Sequence, residues 1–215
     1  MHLEAAREQM ITQQLRAWNV LDPRVLETMA EVPREKFHTP AFQGLAFADA
    51  AVPIGHDQVM LPPKIQGRLL QALALTPDDS VLDIGTGTGF LAACLARMAA
   101  QVHSIDIFEE FSLAAKDRLA ELCVGNVSVE TADATTFSPN RQFDAIAVTA
   151  ALPAYLDRFE ELLAPAGRMF VVVGSPPIRE ALLVIRHSGG CDRQVLFETD
   201  LPQMINAPVP ESFVF

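Results

Sequence analysis

The chain has 215 residues, 50% of them hydrophobic and 20% charged, with a formal net charge of −11. Length and composition suit one globular unit with a full core. The acidity speaks against a partner held by its phosphate backbone, which needs clustered Lys and Arg, and no apolar run reaches the roughly 20 residues that span a bilayer. We therefore expect no nucleic-acid and no membrane partner. Glu4, Arg7 and Glu8 interrupt the N-terminus, so a signal-peptide pattern is absent and a cytoplasmic location is expected.

In chain order, Leu3, Ala6, Met10, Leu15 and Trp18 recur at helical spacing, which predicts a docking helix over 3–18 with Trp18 as packing. A second helix is expected over 23–30, stopped before Pro33. The stretch 33–63 holds Pro33, Pro40, Pro53, Pro62 and Pro63 and reads as a long functional loop. From Lys64 the pattern becomes regular. It gives a helix over 64–75, a strand over 80–84, a helix near 88–99, a strand over 101–106 and a helix near 109–122. Strands at 127–131 and 143–148, a helix near 153–163 and a strand at 168–173 follow. Such alternation makes an α/β fold with a parallel sheet and helices on both faces. The last runs, 181–186 and 194–197, flank His187-Ser-Gly-Gly190, which is hairpin punctuation, so the sheet is expected to end antiparallel. The tail from Leu201 to Pro210 is expected to lie along the surface. The boundary near Lys64 divides an N-terminal helical and loop segment, 1–63, from a ligand-binding unit, 64–215, the two packed as one body.

Cys94, Cys123 and Cys191 are odd in number and in no paired spacing, which predicts core thiols. His2, His38, His56, His103 and His187 are scattered, and no metal site is expected.

Val81-Leu-Asp-Ile-Gly-Thr-Gly-Thr-Gly-Phe90 joins a predicted strand to a predicted helix, the context of a glycine-rich ligand loop. Gly85, Gly87 and Gly89 let the backbone turn tightly and approach a ligand, with Thr86 and Thr88 between them. The spacing is not that of a dinucleotide loop, and Asp83 lies just before the first glycine. A carboxylate there repels a pyrophosphate but accepts hydrogen bonds from an ammonium, such as the methionine end of S-adenosylmethionine. Asp106, followed by Ile107, ends the next strand, where an acid takes both hydroxyls of a ribose. Asp133, followed by Ala134, stands after the third strand, within reach of an adenine amine. Each aspartate alone is as compatible with a helix N-cap or a turn. At successive strand ends beside one glycine loop, they are read as a nucleoside site for S-adenosylmethionine.

The glycine loop resembles that of the Rossmann-like class I methyltransferases. The fold expected from this is a seven-stranded, mostly parallel sheet with an antiparallel last strand and an N-terminal helical extension. A finer match lies in 10–15, in Val32-Pro-Arg-Glu-Lys-Phe37, in Asp49 with Val52-Pro-Ile-Gly55, and in Val148-Thr-Ala-Ala151. With these segments nearly the whole chain resembles the protein-L-isoaspartate O-methyltransferases. The resemblance implies methyl transfer to isoaspartyl proteins or peptides in protein repair. It also implies a substrate region of Ile54, Gly55, Gln58, Val59, Met60, Leu61, Thr149 and Ala150.

In that family the Pro-Ile-Gly loop runs on into Gln-Thr-Ile-Ser. Here Val59 stands where the family has Thr, and Leu61 where it has Ser. Methylating a carboxylate needs no general base but does need the oxygen held in line and dry, and a charged acceptor against Leu61 is costly without a partner. Backbone amides near Ile54-Gly55 or Ala150-Ala151 are the replacements the sequence offers. No catalytic residue is assigned. His56 is either a base for a hydroxyl acceptor or a solvated loop side chain, and Asp49 is expected to pin the loop through backbone amides. Three readings stay open: an isoaspartyl methyltransferase with an altered loop, a methyltransferase for a more apolar acceptor, and a cofactor-binding protein without turnover. Oligomeric state is not readable.

Overall fold

The computed structural model describes residues 3–209. His2 and Pro210 lie outside them. The N-terminal segment is helical throughout 3–18 but changes pitch: α1 (Leu3–Gln9) runs into a π-helical stretch, Met10–Leu15, and a 3-10 turn, Arg16–Trp18. Asn19, at φ 61°, ends it. Helix α2 (Pro23–Glu31) starts on an Asp22 cap, whose carboxylate accepts from the Arg24 amide at 2.9 Å, with proline at the first helical position.

The stretch expected to be loop contains 3-10 turns at Arg34–Phe37 and Gln43–Leu45 and a small antiparallel hairpin of β1 (Val52–Gly55) and β2 (Gln58–Met60). Then come α3 (Pro63–Leu73), β3 (Ser80–Ile84), α4 (Phe90–Met98), β4 (Gln101–Asp106), α5 (Glu109–Glu121) and β5 (Val127–Thr131). They are followed by β6 (Phe143–Leu152), α6 (Arg158–Glu161), β7 (Leu163–Ser175), β8 (Ile178–His187) and β9 (Gly190–Glu198).

The seven-stranded sheet has the order β5-β4-β3-β6-β7-β8-β9. Its first five strands are parallel, and the antiparallel end consists of two ladders, β7 with β8 and β8 with β9. Because β3 has β4 on one side and β6 on the other, the chain crosses over at β3. The crevice at the carboxyl ends of these strands is where open α/β sheets take ligands.

Side chains alternate between the two faces, as strand geometry requires. Val81, Ala145, Ala147, Phe170 and Val172 join one core with the buried residues of α2, α3 and α4 and with Leu15, Val20 and Phe37. Leu82, Ile146, Val148, Met169 and Val171 face the other way. That second face lacks the full helical cover expected from alternation. It is closed by the four-residue α6, through fully buried Phe159, and by Met204 and Ala207 of the tail.

The helix expected over 153–163 is thus largely replaced. Strand β6 continues to Leu152, where Ala151 and Leu152 pair with Val172 and Val173 of β7 and Ala151 also bridges the tail: its amide donates to the Pro202 carbonyl at 2.8 Å and its carbonyl accepts from the Met204 amide at 2.8 Å. Pro153 then offers no amide hydrogen to a helix. The tail itself is the second departure. Leu201, Met204 and Ala207 are buried instead of lying on the surface. Of the cysteines, only Cys94 is a core thiol; Cys123 is exposed, and Cys191 of β9 is half-buried at the margin of the second core.

Trp18 packs, with the Lys64 ammonium 4.3 Å from its ring centroid and Phe197 edge-on at 6.4 Å. Among the described residues no helix is long and apolar enough to cross a membrane. Since Phe159 is the aromatic anchor of α6, Phe159→Ala is expected to cost about 3–5 kcal/mol in urea unfolding.

Candidate functional site

The site begins where β3 ends. The amides of Gly85 and Thr86 both donate to the Ile105 carbonyl, at 2.8 and 3.1 Å, which folds the glycine loop back onto β4. Gly85 holds φ +101°, and a Cβ there would fall on the Thr149 hydroxyl. That hydroxyl is itself tied to the loop, bonding to the Ile84 and Gly85 carbonyls at 2.9 and 3.1 Å. No side chain fits between β6 and the loop.

Asp83 lies beneath the loop, fully buried. With the carboxylate ionised, Ser104 donates its hydroxyl to Asp83 Oδ2 at 2.7 Å, and Thr86 can then donate to Ser104 at 2.6 Å. Oδ1 is buried with no hydrogen-bond partner. Burial pushes the carboxyl up to about 7; the Ser104 hydrogen bond opposes this, and the neighbouring Asp106 charge adds to it.

Asp106 ends β4 and accepts backbone amides on both oxygens, Gly87 at 2.8 Å and Phe108 at 3.0 Å. Burial holds its carboxyl above the ordinary range in spite of these bonds. At Asp133 burial acts in the same direction, but hydrogen bonds from Thr135 and Asn206 outweigh it and hold the carboxyl low. Oδ1 accepts the Thr135 amide and hydroxyl at 2.8 and 2.7 Å, and Oδ2 accepts the Asn206 amide at 2.8 Å.

These ends enclose a pocket. Its walls are Ile54, Gln58 and Val59 from the hairpin, Gly85 and Gly87 from the loop, Asp106, Ile107, Asp133 and Ala134 from the strand ends, and Thr149 and Ala150 within the last residues of β6 before Leu152. Phe108 and Phe111 add an aromatic side, and Pro202, Gln203, Met204 and Ile205 of the tail form a roof. A smaller adjoining hollow has Thr86, Thr88, Met60 and Leu61 in its walls, and shares Ile54, Val59, Gly85, Gly87 and Thr149 with the pocket. Asp83, Gly55 and Gly89 line neither space. Asp83 acts from under the loop, while Gly55 (φ +106°) closes the hairpin turn and Gly89 (φ +87°) starts α4.

The hairpin turn is made by His56 and Asp57, both at positive φ, 51° and 55°. The His56 ring stacks on Phe108 at 4.1 Å, with Nε2 3.3 Å from Glu110. Asp49 pins the region through a side chain and not through backbone amides: its carboxylate accepts from Lys64 Nζ at 2.8 Å.

Sequence reasoning missed the aromatic pair Phe108 and Phe111 and three further contributors. The tail roof was signalled by the spacing of Leu201, Met204 and Ala207. Arg34, 1% exposed, donates to the Ala46 carbonyl at 2.8 Å, the Leu61 carbonyl at 2.7 Å and the Gln66 side-chain carbonyl. Gln66, a wall of the smaller hollow, was signalled by a polar residue on the α3 face that carries Leu69, Leu70 and Leu73.

Two measurements test this geometry. Gly85→Ala must strain its backbone and displace Thr149, so a loss of about 1–3 kcal/mol is expected in chemical denaturation. Because Asp83 titrates higher folded than unfolded, its contribution to stability is complete below about 4 and is lost as pH rises through about 7. Asp83→Asn should remove that fall when unfolding free energies at pH 5 and pH 8 are compared.

Comparison with known proteins agrees with this architecture. Residues 5–198 match the family model described as Protein-L-isoaspartate(D-aspartate) O-methyltransferase. A protein-L-isoaspartate O-methyltransferase of Koribacter versatilis is 40% identical over 185 residues, 86% of this chain and 83% of that one. One from Methanoregula boonei is 37% identical over 193 residues, 89% of this chain and 88% of that one. In fold, the chain is similar to a Plasmodium falciparum protein of that name solved with S-adenosyl-L-homocysteine: TM-score 0.78 at 18% identity, covering 92% of this chain and 97% of that one. The chain belongs to the protein-L-isoaspartate(D-aspartate) O-methyltransferase family.

Proposed function

We propose that this protein transfers the methyl group of S-adenosylmethionine to the carboxylate of isoaspartyl residues in proteins or peptides. The observation that carries this reading is the meeting of the glycine loop, the Asp106 strand end and the β1–β2 hairpin around one roofed pocket, in a chain of this family. Relatives at 37–40% identity bear the name of that activity.

The residues suit the cofactor. Each Asp106 oxygen has one backbone donor and lone-pair capacity left for ribose hydroxyls. The unpartnered Asp83 Oδ1 under the loop favours a nearby ammonium, which would draw the carboxyl back toward its ionised form. Asp133 and Ala134 border the position for the base; Oδ2 of Asp133 already takes Asn206, so a base amine would share that oxygen.

When bound, S-adenosylmethionine supplies an electrophilic methyl on a sulfonium. An isoaspartyl carboxylate is ionised at neutral pH, so it would accept that methyl without a base, and the chain need hold no proton acceptor beside it. What remains for the protein is to align the carboxylate and keep water out. The hairpin side chains Ile54 and Val59, with the roof at Met204 and Ile205, supply the dry wall.

One observation favours a second acceptor class. Leu61 is 4% exposed and, with Val59, presents apolar surface to the hollow where the family's hydroxyls are expected, and an apolar wall suits an apolar acceptor. Labelled-methyl transfer decides. The expected outcome is transfer stimulated by an isoaspartyl peptide and not by its normal aspartyl counterpart. Stimulation by an apolar hydroxyl compound alone would support the second reading, and cofactor binding with no transfer would support a non-catalytic role. Asp106→Asn is expected to weaken S-adenosylmethionine binding about 10- to 100-fold by calorimetry.

A further inference from the structure

Gln66 points to a feature that the family's loop pattern does not contain. It lies on the inner face of α3, 4% exposed, and is one of the walls of the hollow between the hairpin and the glycine loop. Arg34 fixes which way its amide faces. A guanidinium is a donor only, so the Gln66 oxygen must turn toward Arg34, and the NH2 group takes the opposite end of the amide plane. Among the described residues that nitrogen donates to no atom. Two N–H donors therefore remain unspent on a side chain that shares the lining of the hollow with Val59 and Leu61, where the hairpin carries no hydroxyl.

Arg34 supplies a second, independent observation. Its guanidinium is buried, bonded to two backbone carbonyls and to Gln66, and stacked 4.6 Å above the Phe90 ring; among the described residues it forms no ion pair. Burial alone lowers its affinity for the proton, to about 9. A buried cation without a counter-ion favours an anion close by. The hollow that Gln66 lines is one nearby space, and the Gln66 amide joins the guanidinium to its wall.

We propose that Gln66 is the hydrogen-bond donor for a carboxylate seated in this hollow, backed by the buried charge of Arg34. The assignment rests on the function proposed above, which brings two carboxylates to this junction: that of the cofactor's methionine end and that of the isoaspartyl acceptor. Gln66 is a positioning residue in either case. It supplies from the helix the polar contact that Leu61 does not supply from the loop.

Gln66→Glu is the discriminating variant. It keeps an acceptor for Arg34, so the fold is retained and the melting temperature does not fall, but it removes both donors and sets a negative charge against the ligand. Two measurements read the result: calorimetric titration of S-adenosylhomocysteine, and KM and kcat for an isoaspartyl peptide. A loss of about 10- to 100-fold in S-adenosylhomocysteine affinity assigns Gln66 to the cofactor carboxylate. Unchanged affinity with a similar rise in peptide KM or fall in kcat assigns it to the acceptor. If both are unchanged, the assignment is overturned and Gln66 serves only to hold Arg34. Gln66→Met, neutral and of similar length, carries the same comparison should the charged variant not fold. A wild-type chain that transfers no methyl overturns the isoaspartyl reading, and the S-adenosylhomocysteine titration then decides Gln66 alone.

Discussion

The arrangement turns on a carboxyl group that touches no solvent. Asp83 is the penultimate residue of β3, with Ser104 of β4 beside it and Thr86 of the glycine loop above, and the hydrogen-bond chain through these residues sets the height of the loop over the sheet. From above, Thr149 takes the space that any side chain on Gly85 would need. A loop held from both sides has one course to follow. That course puts the Gly87 amide on Asp106 and leaves the strand ends open to a ligand. The unfavourable burial of an acid is thus confined to the base of the loop that borders the pocket, and perturbed carboxyls of this kind cluster at functional sites.

The sheet was legible because its physics is local. Strands such as Ser80–Ile84 and Gln101–Asp106 are short apolar runs bounded by turn residues, and their ends coincide with the expected ones. The aspartates at these ends were legible for the same reason, since β-strands deliver their last residue to a fixed edge. The helix expected over 153–163 shrinks to α6, because Leu156, Phe159 and Leu162 do repeat at helical spacing, yet Pro153 follows closely on an Ala151 held extended by β7 and by a bridge to residues fifty positions later. The hairpin of β1 and β2 was hidden because its turn is His56-Asp57, which lacks the glycine that usually marks two consecutive positive φ values.

The site was legible in part. Glycines, aspartates and the Pro-Ile-Gly segment declare themselves through spacing, and most of the named positions lie on the pocket and its neighbouring hollow. Arg34 and Gln66 did not, because their meaning is mutual. Each is a polar residue at a core position, and only three-dimensional proximity shows that one orients the other. The same holds for Asn206 and Asp133, which are 73 positions apart.

The roof over the pocket ties two tasks to one segment. The residues from Pro202 to Ile205 that border the pocket run with the buried Met204 and Ala207 of the second core, and Asn206 carries the bond to Asp133. Movement of this segment away from the strand ends would open the crevice from above, release Asp133 and uncover part of that core together. Access to the ligand and the integrity of one face of the sheet are therefore coupled through a single stretch of chain.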